Sequence, residues 1–172
     1  VSDLQPNVNV QVQGLLNVTG TITINADSRS DADSSNDGAG GGAIAVTDLK
    51  TDVTSKPVVT TLIDSESELY AAENIHINAV HGANPPTSAP VLNDSQPEAS
   101  DNKVESNASG DTVSGFVSVG SVTTILNSTP TATTTISSTS TLKAVGDLVL
   151  SANAEENAYA KADSTTAAAP LF

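Results

Sequence analysis

The residues able to do chemistry are few. His76 and His81 are the only imidazoles, and there is no cysteine. A hydrolytic triad would have to use one of these two as its base. His76 lies in Asn74-Ile75-His76-Ile77-Asn78, and strand alternation points it opposite to Ile75 and Ile77, toward solvent. No Gly-x-Ser-x-Gly elbow occurs. Asp64, Glu66 and Glu68 alternate as the carboxylates of a carbohydrate-active enzyme would. In a later repeat of the same pattern these positions hold Ser137, Thr139 and Thr141, which fits a solvated face better. The reading is therefore not an enzyme.

Asp27, Asp31, Asp33 and Asp37 crowd residues 27–41. Calcium takes several oxygen ligands on a bent loop, so these four are the candidate metal ligands. They do not fit an EF-hand: counting from Asp31, the sixth position is Asn36 and the twelfth is Gly42. A flexible acidic loop is the plainer reading, and no other cofactor is indicated. Thr131, Thr133 and Thr135 alternate, as do Thr19, Thr21 and Thr23. Copies of the latter run give Ala72, Asn74 and His76, so no regular water-ordering array results. Asn17, Asn93, Asn107 and Asn127 begin Asn-x-Ser/Thr sequons, which chance supplies in a chain this rich in those residues.

What would position such residues is set by composition. The chain has two Phe, two Tyr, no Trp and no Met among 172 residues. Its apolar content is Val, Ile, Leu and Ala, which suits a thin core of many similar layers rather than one thick core. Val and Thr favour strands. Twenty acids against 6 bases give a net charge of −14, which excludes nucleic acid and anionic membrane surfaces as partners. No stretch approaches the ~18 apolar residues of a membrane span, so no membrane insertion is expected. No signal peptide is visible, and targeting information is expected to lie outside this stretch.

An internal repeat organises the whole. Residues 42–79 align without a gap on 115–152, pairing Ile44 with Val117, Ile63 with Ile136, Leu69 with Leu142 and Ile77 with Leu150. A partial third copy, offset by 53, pairs Val10 with Ile63, Leu16 with Leu69, Ile22 with Ile75 and Ala26 with Ala79. The units are a partial repeat 1–41, a repeat 42–114 with an inserted loop 80–114, and a repeat 115–172. Residues 27–41 and 80–114 read as connectors, the latter marked by Pro85, Pro86, Pro90 and Pro97. Ala158-Tyr159-Ala160-Lys161-Ala162 alternates strictly and reads as a further strand.

These features predict an all-β chain, a parallel β-solenoid whose 53-residue unit makes about two coils. Residues 1–172 would be one stretch of a longer array, with neighbouring repeats of the same parent chain as its partners. The alternative is an antiparallel β-sandwich, for which Asn36-Asp37-Gly38 is a hairpin signal. Pro57 and Pro130 precede strands, where a missing N–H breaks no ladder bond. Gly40-Gly41-Gly42 and Gly115 mark corners.

The segments Leu69–Ala79, Leu142–Ala152 and Gly40–Val46 resemble the tandem repeats of giant bacterial surface adhesins of the filamentous-haemagglutinin and autotransporter-passenger kind. That resemblance implies a right-handed parallel β-helix, a secreted or cell-surface location and a stalk or adhesive role. It brings no catalytic residues. A structural or adhesive repeat module is thus the leading expectation, with a host or cell-surface glycan or protein as further partner. Two other readings are a polysaccharide-binding or polysaccharide-degrading β-helix module and a subunit of a homopolymeric extracellular filament, a homo-oligomer.

Overall fold

The computed structural model describes residues 1–82 and 103–168, which form strands joined by turns and short irregular corners, with no helix among them. Thirteen strands follow in order: β1 Ser2–Leu4, β2 Asn7–Val12, β3 Leu15–Val18, β4 Ile22–Ser28, β5 Asp31–Ser55, β6 Val58–Ile63, β7 Glu68–Ala71, β8 Ile75–His81, β9 Lys103–Ser128, β10 Thr131–Ile136, β11 Thr141–Ala144, β12 Leu148–Ala154 and β13 Asn157–Ala168. They form four sheets, ordered β1-β5-β9-β13, β10-β6-β2, β11-β7-β3 and β12-β8-β4. Each strand pairs with the strand four places along the chain, and every pairing among the described residues is parallel. Antiparallel hairpins join sequential neighbours, whereas here a full circuit of the four sheets separates partners. The antiparallel sandwich is overturned.

The register bears out most of the repeat. Ile44 pairs with Val117, Ile63 with Ile136, Leu69 with Leu142, Ile77 with Leu150 and Ile22 with Ile75. One pairing is corrected: Ile63 lies beside Val12, and Val10 lies beside Thr61. The turn between β2 and β3 is two residues shorter than that between β6 and β7. A slip of two residues keeps every side chain on its face, so the apolar pattern cannot detect it.

A second correction concerns size. One 53-residue unit contributes one strand to each sheet, a single layer rather than two coils. The extra length is the first halves of β5 and β9, which fall in what read as connectors 27–41 and 80–114. Each of these strands bends midway, where a register shift falls between Gly42 and Ile44 and Gly42 takes a positive φ of 149°. The two arms then lie face to face. A Cβ on Gly38 would sit 3.0 Å from Leu49, and one on Gly110 would sit 2.9 Å from Val122. Asn36-Asp37-Gly38 is therefore mid-strand, and the glycine makes room for the opposing arm rather than a turn. The result is an arch whose arms bond to the layers above and below, with Thr51, Ser106 and Thr124 hydroxyls linked inside it at 2.5–2.7 Å. Of the inserted loop, residues 80–81 end β8 and 103–114 open β9, while 83–102, with their prolines, lie outside the described residues.

The main core is a set of stacked aliphatic rungs. Ile63, Leu69, Ile75 and Ile77 of the middle layer are fully buried, with Val12, Ile136 and Leu142 packed from the layers on either side. Val53, Ala32 and Val104 form a smaller cluster at the root of the arch. At the corner before β6, Lys56 N–H donates to Leu4 O and Val58 N–H to Pro6 O; Thr129 and Thr131 repeat this on Ser55 and Pro57. Pro57 and Pro130 thus fall where the ladder takes no bond, as expected, and Pro6 completes the column.

Candidate functional site

Two places bring reactive or recognition side chains together, one inside the stack and one outside. The inner one forms where the ends of β4, β5, β8 and β9 meet. His81 follows Ile75, Ile77 and Ala79 in phase, so it turns inward and is wholly buried. Its Nδ1 lies 2.7 Å from Ser28 Oγ of the layer below. Its Nε2 faces Glu156 Oε1 at 3.7 Å and makes no hydrogen bond. The Glu156 carboxylate is 1% exposed and accepts from Ser55 Oγ at 2.7 Å and from Ser128 Oγ. Burial pushes its carboxyl up, but His81 and the two serine hydroxyls outweigh burial and hold it below its ordinary value.

The order Ser28, His81, Glu156 follows that of a hydrolytic triad, yet its geometry serves a different end. The imidazole has no exposed surface on which a substrate carbonyl could sit. Glu156 is bonded by Ser55 and Ser128 of two successive layers rather than committed to the ring. The arrangement ties successive layers through one buried charge. It was legible in part: continuing the strand alternation past Ala79 turns His81 inward. Nothing in the spacing pointed to Glu156, which reaches the cluster from the corner between β12 and β13.

The outer place is a groove of about 710 Å³ at the corner between the β3-β7-β11 and β4-β8-β12 sheets. Asn17, Tyr70 and Lys143 stack in one outward column by register. Lys143 Nζ stands 5.6 Å from the Tyr70 ring centre, a cation–π contact. Tyr70 Oη donates to Glu68 Oε2 at 3.0 Å, and this bond raises the phenol's pKa. Thr19, Gly146 and Leu148 are among the other residues that line it.

The other singled-out residues are not assembled into a site. Asp27 lies in β4, and Asp31, Asp33 and Asp37 lie along β5. On an extended strand alternate side chains stand ~6.6 Å apart in a row, so these four do not converge on one point as they would on a bent loop. Among the described residues no group of three or more His, Asp or Glu could hold a metal ion. The bent acidic loop is thus corrected to straight strand. Asp64 and Glu66 fall in the turn before β7 rather than along one strand face, and only Glu68 is in the strand. Asp64 accepts from the Ser65 N–H and from Gln11 Nε2 at 2.7 Å each, which holds its carboxyl below the usual value. His76 points outward between Thr23 and Val149, as expected. Of the sequons, Asn17 and Asn127 are exposed, Asn107 is half-buried and Asn93 lies outside the described residues.

No family model matches the chain, and neither a curated protein nor a solved structure is similar to it. Among the described residues no helix is long and apolar enough to cross a membrane.

Proposed function

We propose that the chain is a stretch of right-handed parallel β-solenoid serving as a structural, adhesive repeat module of a large secreted or cell-surface protein. One observation carries this reading: each repeat adds one strand to each of four sheets, so the molecule grows along one axis by adding layers. Such growth yields a rod of fixed cross-section. The sheets are three or four strands high, on the order of 15–20 Å, while one arm of the arch extends ~40 Å across them. This stretch alone is therefore a plate, and the rod emerges with repetition. Small-angle scattering of one, two and three tandem copies tests it. A constant cross-sectional radius with length growing by about 15 Å per copy is expected. A cross-section that widens with copy number would overturn the reading.

A second reading is favoured by the outer groove, where an aromatic ring, an amide and an ammonium group stand in line. Saccharides are held by rings flanked by a few hydrogen-bonding groups, so a polysaccharide-binding role belongs to that corner. Saturable binding on a glycan array, lost in Tyr70→Ala, supports it. An array without a reproducible hit removes it.

A further inference from the structure

The arch carries a surface that neither the rod nor the groove uses. Alternate residues of its second arm point outward, and in β5 these begin with Ile44 and Val46, each 70% exposed. By register they stack on Val117 and Val119 of β9, which are 49% and 52% exposed. Phe116, one of only two phenylalanines, stands beside them at the bend, 57% exposed, and Val113 continues the patch around the tip. Five of these, all but Val113, belong to the second arm or the bend and form one exposed group on two successive layers. Exposed apolar residues are common singly, but a contiguous group on a flat sheet marks a contact surface.

The charges near the patch indicate what covers it. Asp31, Asp33, Asp37 and Asp111 lie on the outward side of the first arm, on the other face of the arch. Beyond the patch, the second arm presents Asp48, Lys50 and Asp52, with Lys50 Nζ 3.8 Å from Asp52, and beside them the neutral Ser121 and Thr123. Acid charge is nearly cancelled on this face, although the chain as a whole carries −14. Two copies can therefore meet here without the repulsion their net charge would otherwise impose.

We propose that the second-arm face of the arch, centred on Ile44, Val46, Val117 and Val119, is a lateral self-association surface that packs against the same face of a second copy. The contact is isologous, sheet on sheet, with aliphatic side chains interdigitating. Five side chains fall short of the ~800 Å² per partner of a standard interface. One pair of chains therefore associates weakly, and successive layers of a longer array add their contacts to bundle rods side by side.

Sedimentation equilibrium of the chain from micromolar to millimolar concentration tests this. A reversible dimer is expected, with Val46→Lys weakening it roughly tenfold or more while leaving the far-ultraviolet spectrum unchanged. Because the chain lacks cysteine, Val119→Cys gives a single site, and oxidation is expected to yield a disulfide dimer; Ser35→Cys, on the opposite face of the arch, is expected to yield none. A chain monomeric at every concentration overturns the proposal. So does a dimer that persists in Val46→Lys, or that Ser35→Cys captures equally well, since association would then run through another surface such as the open strand edges.

Discussion

Glu156 shows how a single residue is made tolerable in a thin β core. A buried carboxylate is costly unless hydrogen-bonded, and here it accepts from one serine hydroxyl of each of two successive layers, with the His81 imidazole facing it. Replacing it with alanine leaves Ser55 and Ser128 without an acceptor and is expected to cost about 1–3 kcal/mol by urea denaturation near neutral pH. The pH dependence follows from the direction of its shift. A carboxyl held low stabilises the fold above its ordinary value near 4.5 and loses that contribution as pH falls through the lower folded value. Wild-type stability should thus fall on acidification below about pH 5, and Glu156→Gln should flatten that limb. A Gln variant with an unchanged acid limb would show that the charge is not what the site responds to. The exterior has its own ties: Asn78 Nδ2 donates to Asn25 Oδ1, and Ser151 Oγ to Asn78 Oδ1, each at 2.7 Å, so one outward column bonds all three layers.

At the scale of elements, proline placement separates tolerated from forbidden positions. Pro57 lies at a corner where its neighbours, Lys56 and Val58, donate the ladder bonds. Pro57→Ala is expected to change stability by no more than about 1 kcal/mol. Thr60, in contrast, sits in β6 between β2 and β10, so its N–H has a partner whichever way it points. Thr60→Pro is expected to cost about 3 kcal/mol or more, enough to broaden or abolish the thermal transition. These prolines were legible in the sequence because each precedes a run of alternating Val or Thr. So were the rungs, since Ile22, Ile75 and Leu148 recur in phase with their neighbours. The arch was not. Its first arm is written in Asp, Ser, Asn, Gly and Ala, residues that favour turns when exposed, and it becomes strand because the opposing arm and the layers on either side supply the partners. Small inward residues such as Ala32, Ser34 and Gly38 look like a loop until something packs against them. For the same reason the run from Asp27 to Asp37 reads as an acidic loop where the structure has strand. The Glu156 cluster was not legible as a whole, because its members come from successive layers and no local spacing connects them.

For the whole molecule, the deciding feature is that the chain completes one layer before starting the next. All bonds between layers then run along one direction, the direction in which a rod attached at both ends is loaded. Pulled from its ends, such a stack has no strand that must shear against another, and the bonds of the outermost layer open in turn. Force spectroscopy should therefore record a ladder of small, nearly equal force peaks instead of one large rupture. The contour released at each peak is set by the register. Partners such as Asn25 and Asn78 are 53 residues apart, giving about 180 Å, and Asn78 and Ser151 are 73 apart, giving about 250 Å. Two step lengths in that ratio would read the layer architecture directly from a single stretched molecule. A chain built this way dissipates load by peeling, and a tether that yields one layer at a time lengthens before it lets go.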